Sequence, residues 1–301
     1  MSSTCPACFS NRSSSFIGKE RMYGWGEQFD YFECQDCHSI WIAKIPEDLG
    51  RFYPQDYYAF QEVREDLAIK KQVKRLRYQL FKKGWIQSGP EYFDWIKNLD
   101  LREEDRIADI GCGAGIVLHQ LAYSGFKNVY GFDPYIQQET HRQGLSIAKK
   151  SLDQIEGTFD VLMLHHSFEH LPDPNAAFDQ LANLLTPGGK LLIRLPVTDG
   201  LIWKKDREFW FQLDAPRHLF IPSVKGMETL GSRHGLKLEK VIFDSTASQF
   251  WGTALYKENK NFVDFELNNQ FSKAELKNLE RKAKRLNKIQ QGDQAAFYFN
   301  R

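Results

Sequence analysis

One short segment constrains the fold more than any other. It is Ile107-Ala-Asp-Ile-Gly-Cys-Gly-Ala-Gly115, in which three glycines follow a short apolar run. The pattern predicts a strand that ends at Ile110, a tight turn, and a helix that begins near Ile116. Glycine adopts backbone conformations that other residues avoid, and it lets a ligand approach the main chain closely. The segment therefore predicts a ligand site at the end of a buried strand.

Strand-like and helix-like segments alternate after this turn. The runs that predict strands are RIADI (106–110), NVYGF (128–132), LSIAK (145–149), FDVLML (159–164), KLLIRL (190–195), KLEKVIFD (237–244) and QAAFYFN (294–300). This alternation is typical of a mostly parallel sheet covered by helices on both faces. Ser272 and Glu275 form a capping box ahead of apolar residues at helical spacing, so a helix is predicted between the last two strands.

Four of the five cysteines lie before residue 40, in the pairs Cys5-Pro-Ala-Cys8 and Cys34-Gln-Asp-Cys37. Each C-x-x-C turn directs two thiolates at one point, and two such turns complete the tetrahedron of a structural zinc site. We predict a structural zinc ribbon, because four thiolates leave no open coordination position. The second pair followed by His38 also matches a haem-attachment pattern. That reading requires export, for which the sequence shows no signal.

Composition sets limits on partners. Lys and Arg number 40 and Asp and Glu number 39, which gives a net charge of +1. A near-neutral chain has no general attraction to nucleic acid or anionic lipid. The sequence shows no apolar run as long as a membrane span. We expect a cytoplasmic protein with no nucleic-acid or membrane partner, whose cysteines bind metal or pack rather than form disulfides. The oligomeric state is left open.

These patterns divide the chain into three parts. Residues 1–45 are predicted to form the zinc ribbon, and residues 46–100 a connector and a helical lead-in. Residues 101–301 are predicted to form the α/β domain, with a helical insertion around residues 250–291. The lead-in contains a basic stretch, residues 64–86, with apolar residues at helical spacing.

The second predicted strand of this series, NVYGF, follows the glycine turn and leads directly into Asp133. An acidic residue about 20 residues beyond a glycine turn is placed to bind a pair of ribose hydroxyls. The glycine spacing is G-x-G-x-G, which differs from the G-x-G-x-x-G of dinucleotide sites.

The segments D-I-G-C-G-A-G, G-F-D-P, F-D-V-L-M-L-H-H-S-F-E-H-L-P-D-P and L-L-T-P-G-G-K-L-L-I-R-L-P follow one another between residues 105 and 200. In this order and spacing they resemble the class I S-adenosylmethionine-dependent methyltransferases. The paired cysteines, Y-P-Q-D-Y-Y and D-A-P-R-H (residues 214–218) resemble a bacterial subgroup in which a zinc ribbon precedes the methyltransferase domain. The resemblance implies a seven-stranded Rossmann-like sheet with helices on both faces, plus a small N-terminal zinc ribbon.

The resemblance also implies how S-adenosylmethionine would bind. Residues 109–115 would hold its amino-acid end, Asp133 its ribose, and residues 134–135 and 152–153 its adenine, while residues 164–166 would lie beneath the methyl sulfonium. The expected cofactor contacts are Asp109, Gly111, Cys112, Gly113, Gly115, Asp133, Pro134, Tyr135, Leu152, Asp153, Leu164 and His165. Cys112 is expected to be packed rather than reactive.

Histidines crowd the segment after the fourth strand, where an acceptor's proton could be removed. The candidate catalytic residues are His166, Glu169, His170, Arg217 and His218. His170 is favoured as the base because Glu169 could raise its basicity, and Arg217 would anchor a carboxylate or phosphate on the acceptor. Alternatively, Glu169 and His170 only orient the loop. Some relatives bind a divalent ion through E-x-x-E-H. Here the pattern is H-x-x-E-H, so a second metal near His166 and His170 stays open.

The predicted function is methyl transfer from S-adenosylmethionine to a small-molecule acceptor, by analogy a sugar nucleotide or glycan precursor. The sequence does not distinguish O-, N- and C-methylation. One alternative is an RNA methyltransferase that holds RNA with the ribbon and the basic helix at residues 70–83. A second alternative is a non-catalytic zinc-ribbon interaction module. The intact glycine turn and Asp133 argue against the second alternative.

Overall fold

The computed structural model describes residues 4–54, 67–87 and 89–301. Part of the predicted connector and the first residues of the basic stretch, residues 55–66, lie outside the described residues. The chain forms two compact units, each built from three stretches. The first unit comprises Met1–Phe52, Phe168–Phe178 and Arg194–Phe297, and the second comprises Tyr53–Ser167, Asp179–Ile193 and Tyr298–Arg301.

The strands and helices are numbered in chain order. The strands are β1 (Ser13–Lys19), β2 (Gln28–Cys34), β3 (Ile40–Ile42), β4 (Arg106–Ile110), β5 (Asn128–Phe132), β6 (Thr140–Arg142), β7 (Leu145–Ala148), β8 (Phe159–His165), β9 (Leu185–Pro196), β10 (Phe220–Ile221), β11 (Lys237–Phe243) and β12 (Gln294–Asn300). The helices are α1 (Ala68–Lys82), α2 (Glu91–Leu99), α3 (Ile116–Ser124), α4 (Pro174–Leu184), α5 (Leu201–Asp206), α6 (Val224–Arg233), α7 (Ser248–Lys257), α8 (Leu267–Gln270) and α9 (Lys273–Lys288).

The second unit is built on a mostly parallel sheet with the order β9-β8-β4-β5-β7-β6. Strand β4 is parallel to both β5 and β8, and β5 is parallel to β7. Its interior strands are apolar and buried, as expected for a sheet covered on both faces. The carboxyl ends of β4, β5 and β8 therefore meet at one edge, where ligands bind in folds of this class.

The number of strands in the mostly parallel sheet differs from the predicted seven. Strand β9 continues into the first unit, where the order is β11-β12-β9, so the described strands of this sheet number eight rather than seven. The additional strand is β6, which pairs antiparallel to β7. Its sequence, Thr140-His-Arg142, is short and polar, so it carries no apolar signal that would predict a strand.

The first unit also contains an antiparallel sheet with the order β1-β2-β3-β10. Within it, Trp41 of β3 pairs with Phe220 of β10. A buried aromatic and aliphatic core lies against this sheet and includes Tyr31, Trp203 and Trp210. The N-terminal strands thus share a core with residues from the C-terminal half of the chain.

The segment between β11 and β12 contains α7, α8 and α9. The predicted capping box is confirmed at the start of α9, because Ser272 accepts from the Glu275 backbone N–H while the Glu275 carboxylate accepts from the Ser272 N–H. Every helix in the described part of the chain is too short or too polar to cross a bilayer.

Candidate functional site

The glycine turn lies in the second unit at the carboxyl end of β4. Gly111, Gly113 and Gly115 all have positive φ angles of 72°, 52° and 76°. An added Cβ at Gly111 would lie 2.4 Å from the Cβ of Ser167, and one at Gly115 would lie 2.3 Å from the Cδ1 of Ile147. Conformation therefore favours glycine at both positions, and at Gly111 the nearby Cβ of Ser167 also leaves no space for a side chain. The turn leads directly into α3, whose first N–H groups have no partner within the helix.

Asp133 closes this turn from the end of β5. Its Oδ2 accepts a hydrogen bond from the Gly113 N–H at 2.9 Å, and its Oδ1 accepts from the Tyr135 N–H at 2.8 Å. The carboxylate is buried and joins the glycine turn to the turn after β5. The two segments that the sequence analysis assigned to the amino-acid end and the ribose of the cofactor are therefore adjacent.

Asp109 is the second buried carboxyl group of this region. Its Oδ1 has no hydrogen-bond partner among the described residues. Burial, and then the charge of Asp133, raise the pKa of Asp109 well above its ordinary value. A ligand's ammonium group beside Asp109 would supply the missing donor and favour the ionised carboxylate. The residues thus fit the amino-acid end of S-adenosylmethionine.

The other predicted cofactor contacts differ in exposure. Leu164 is fully buried, so only its backbone can face a ligand. Burial, followed by the charges of Asp109 and Asp133, raises the pKa of Cys112 well above its ordinary value, which keeps the thiol protonated and agrees with a packing role. Leu152 and Asp153 lie in a short 3-10 turn.

Aromatic rings surround two of the predicted contacts. Tyr135 is exposed, follows the half-buried Pro134, and stacks on Tyr53 with a centroid distance of 6.3 Å. The ring of His165 packs against Trp95 of α2 with a centroid distance of 4.1 Å. Trp95 lies in α2, ahead of the motifs that predict the cofactor site, and Tyr53 begins the Y-P-Q-D-Y-Y segment, to which the sequence analysis assigned no role in cofactor binding.

The first unit contains a second group of functional side chains, the histidine cluster, formed by Glu169, His170, Asp214, Arg217 and His218. The two imidazole rings meet edge to face with their centroids 4.9 Å apart. Nδ1 of His170 lies 2.9 Å from the carbonyl of Arg217, and Nδ1 of His218 lies 2.7 Å from the carbonyl of Gln212. Because carbonyls only accept, both Nδ1 atoms carry the proton in the neutral rings, so the lone pair of each ring is on Nε2.

Arg217 has a different environment from the predicted one. Its guanidinium is fully buried, with Nε 2.9 Å from Asp214 Oδ2 and Nη2 3.1 Å from Glu20 Oε1. Glu20 in turn accepts from the backbone N–H groups of Tyr23 and Trp25. Burial opposes the charge of Arg217, but the Asp214 carboxylate raises its pKa overall. Its donors are directed at the protein's own carboxylates, which suits a residue that positions the cluster.

His218 is a weak base in this setting. Burial, and then the neighbouring His170, lower its pKa to about 4, although Asp214 and Glu169 act in the opposite direction. Its Nε2 lies 3.9 Å from Glu169 Oε1 and 3.9 Å from Asp214 Oδ2. His218 is thus neutral near pH 7, and the half-buried His170 is the more accessible of the two rings.

The set of possible metal ligands differs from the one suggested by the sequence. Ligand atoms of Glu169, His170 and His218 all lie within 4.8 Å of one another. His166, the first position of H-x-x-E-H, belongs to the second unit and has a positive φ of 53°. Two imidazoles and a carboxylate are ligands that suit a transition metal. His218, rather than His166, is therefore the possible ligand that accompanies Glu169 and His170.

The cysteine cluster, formed by Cys5, Cys8, Cys34 and Cys37, lies in the first unit. Its four sulfur atoms are within 4.8 Å of one another, with Cys5 and Cys37 at 3.5 Å and Cys8 and Cys34 at 3.5 Å. A zinc tetrahedron with bonds of about 2.3 Å has sulfur–sulfur edges of roughly 3.8 Å. The geometry therefore fits a zinc ion bound by four thiolates.

The two cysteine turns have matching backbones. The Phe9 N–H donates to the Cys5 carbonyl at 2.9 Å, and the His38 N–H donates to the Cys34 carbonyl at 3.0 Å. Phe9 and His38 both have positive φ angles, of 58° and 63°. Each pair of cysteines is thus presented by the same kind of turn, although neither turn has glycine at that position.

Burial of the cysteine cluster affects its ionisation. Hydrogen bonds from Cys5 and from Ser39 lower the pKa of Cys37 to about 5, against the effect of burial. Burial raises the pKa of Cys8 to about 11, and the pKa of Cys5 is raised by its hydrogen bond to Cys37 and then by burial. Four thiolates thus need a compensating cation, which a divalent metal supplies.

Comparison with known proteins adds an assignment for the central part of the chain. The family model described as a methyltransferase domain matches residues 85–241, which is more than half of the chain. This range includes the glycine turn, Asp133 and the histidine cluster.

Curated relatives of the same kind match a shorter range. The ubiquinone biosynthesis O-methyltransferase of Ralstonia nicotianae is 32% identical over 113 residues, covering 34% of this chain and 47% of the relative. The enzyme of that name from Aeromonas salmonicida is 33% identical over 121 residues, covering 36% and 50%. The chain spans about half the length of the curated relatives it matches.

Solved structures are similar at a lower level. A methyltransferase from Mesorhizobium loti described as S-adenosylmethionine dependent has a TM-score of 0.46 at 14% identity, over 71% of this chain and 99% of that one. Magnesium protoporphyrin IX methyltransferase from Synechocystis PCC 6803 has a TM-score of 0.47 at 13% identity, over 84% and 97%. The family model, which matches more than half of the chain, is the basis of the family assignment. The chain belongs to the methyltransferase domain family.

Proposed function

We propose that this protein transfers a methyl group from S-adenosylmethionine to a small-molecule acceptor. The observation that carries the proposal is the closed glycine turn, in which Asp133 accepts from the Gly113 N–H and Asp109 is buried beside it. Family membership supports the same reaction class.

The acceptor is proposed at two levels. The similarity to ubiquinone biosynthesis O-methyltransferases favours a small molecule over a macromolecule. The finer proposal is a sugar nucleotide or glycan precursor, which rests on the resemblance of the paired cysteines and residues 214–218 to the bacterial zinc-ribbon subgroup.

The cysteine cluster is proposed to bind a structural zinc ion, since four protein ligands leave no position for substrate.

The chemistry requires alignment and, for a hydroxyl or carbon acceptor, a base. The sulfonium already activates the methyl group, and alignment of the acceptor can lower the barrier by ~7–11 kcal/mol. We propose that Nε2 of His170 takes the acceptor's proton, because its Nδ1 proton is held by the Arg217 carbonyl. Arg217 and Asp214 then act as positioning residues. His166 and Glu169 stay candidates whose roles depend on the acceptor.

Cofactor binding is the first test. We expect calorimetry to detect micromolar binding of S-adenosylmethionine and its demethylated product. Asp133→Asn should weaken binding roughly 10- to 150-fold, because a charge-assisted hydrogen bond is lost. The exposed Asp94→Asn is the matched control and should bind normally. Absence of binding by the unaltered protein would refute the proposed function.

Two glycine substitutions extend the test of cofactor binding. Gly111→Ala should abolish cofactor binding, because its Cβ would displace Ser167. Gly188 has a similar φ of 76° but no atom within 4 Å of the added Cβ, so Gly188→Ala tests backbone strain alone and should leave binding intact.

Turnover is the second test. Labelled S-adenosylmethionine should methylate members of a panel of sugar nucleotides, phenols and RNA transcripts. With the true acceptor, His170→Gln should lower turnover by roughly 10²- to 10⁴-fold at unchanged cofactor affinity. The exposed His141→Gln serves as the control. Methylation of RNA alone would favour the RNA methyltransferase, and unaltered turnover by His170→Gln would remove this residue as the base.

A further inference from the structure

Helix α1 in the second unit has an unusual distribution of apolar side chains. Ile69, Val73 and Leu76 are 75%, 59% and 61% exposed. At 3.6 residues per turn they fall within an arc of about 60° on one side of the helix. Tyr78 lies on the opposite side, where it is buried and packs against Phe93 with a centroid distance of 5.7 Å. The apolar stripe of Ile69, Val73 and Leu76 therefore faces away from the unit's own core.

Positively charged side chains are concentrated in and just after this helix. Between residues 67 and 87 the sequence has no acidic residue, and its basic residues are Lys70, Lys71, Lys74, Arg75, Arg77, Lys82 and Lys83. Lys70 and Arg77 lie beside the stripe and are exposed. Lys71 and Lys74 lie on the inner side, over the ring of Tyr123. The near-zero charge of the whole chain conceals this local concentration.

An exposed indole follows the helix. Trp85 is 75% exposed, three residues beyond the end of α1. Tryptophan favours the boundary between water and lipid, where its ring is buried and its N–H stays hydrated. An aliphatic stripe, flanking cations and a neighbouring tryptophan together are the features of a helix that lies in the interfacial plane of a membrane.

We propose that α1 and Trp85 dock the protein on an anionic membrane surface. The stripe would insert among the acyl chains, while Lys70 and Arg77 contact lipid phosphates. A second copy of this chain is disfavoured, because two such helices would repel each other. RNA would use the cations but would leave the aliphatic stripe in water. This proposal does not rest on the proposed function. Membrane binding and cofactor binding are measured in separate experiments, so either proposal can fail without the other.

The test is flotation of the 301-residue protein with vesicles. We expect binding to phosphatidylcholine vesicles that contain about 30 mol % phosphatidylglycerol, and much weaker binding to phosphatidylcholine alone. The triple variant Ile69→Ser, Val73→Ser, Leu76→Ser should reduce binding at least ~10-fold. Lys70→Gln with Arg77→Gln should reduce it by roughly 30-fold and weaken its dependence on salt. All five side chains point outward, so cofactor affinity should be unchanged.

The control variant is Ile17→Ser with Val263→Ser, which removes exposed aliphatic side chains of β1 and of the segment after α7. It should float like the unaltered protein. The proposal is overturned by no binding to the anionic vesicles, or by binding that the triple serine variant retains. It is also overturned by tight binding of single-stranded RNA in preference to vesicles, or by a dimer in sedimentation that the triple variant converts to monomer.

Discussion

The cysteine cluster and the histidine cluster both hold potential ligand atoms within 4.8 Å of one another, but they are assembled differently. The cysteine cluster is made of two short turns with the same backbone hydrogen bond. In the histidine cluster, adjacent residues Glu169 and His170 meet the loop from Asp214 to His218, and Glu20 contributes from a third segment.

The difference lies in what fixes the ligating atoms. In the cysteine cluster each turn sets its own two thiols, so the arrangement is local. In the histidine cluster the rings are oriented by the carbonyls of Arg217 and Gln212, and the loop is held by a buried ion pair with Glu20. A local arrangement can be recognised from residue spacing, whereas this second arrangement depends on contacts between distant segments.

Loss of a zinc ligand should produce the largest effect. We expect about one zinc per chain by elemental analysis. Cys34→Ser should lose the metal and loosen β1 and β2, because binding of structural zinc can contribute on the order of 10 kcal/mol to folding. Cys112→Ser is the control, because this cysteine lies in the glycine turn and outside the cysteine cluster. The Cys112→Ser variant should still contain about one zinc per chain. Iron, haem or no metal in carefully prepared protein would contradict the zinc assignment.

Removal of the buried guanidinium of Arg217 should have the second largest effect on stability. Arg217→Met leaves Glu20 and Asp214 without their partner, which should lower the free energy of unfolding by about 3–5 kcal/mol in urea titrations. The exposed pair Arg51–Glu27 gives the control, and Arg51→Met should cost about 0–1 kcal/mol. Equal effects of the two substitutions would show that the histidine cluster does not depend on its ion pair.

A single hydrogen bond links strand β2 to the histidine cluster and should give the smallest effect. The Tyr31 hydroxyl donates to the His218 carbonyl at 3.0 Å. Tyr31→Phe should lower the free energy of unfolding by about 1 kcal/mol. The hydroxyl of Tyr123 is buried with no hydrogen-bond partner among the residues described, so Tyr123→Phe should be neutral or stabilising. A larger loss for Tyr123→Phe than for Tyr31→Phe would contradict this account.

Much of the fold could be predicted from local pattern. The segments 106–110, 128–132 and 294–300 form strands with the predicted bounds, because each is an apolar run with clear limits. Strand β6 was missed because its residues are polar. The approach of Asp133 to Gly113 follows from the alternating pattern of strands and helices, since the carboxyl ends of adjacent parallel strands must meet.

The histidine cluster shows where such prediction fails. The sequence analysis identified His170 and His218, but it gave Arg217 an exposed role. An arginine looks the same in a sequence whether it meets a ligand or a buried carboxylate. Glu20, its second partner, lies among polar residues with no distinguishing pattern, and only the fold brings it to Arg217.

The pairing of β3 with β10 affects how the chain can fold during synthesis. Ile40 and Trp41 are made early, but their partners Ile221 and Phe220 emerge from the ribosome much later. The N-terminal strands must therefore wait with one edge open until most of the chain has been translated. Contacts so distant in sequence close slowly. Deletion of residues 1–45 would in turn uncover the edge of β10 and its apolar neighbours, so the segment would behave as an integral layer of the first unit rather than as a removable appendage.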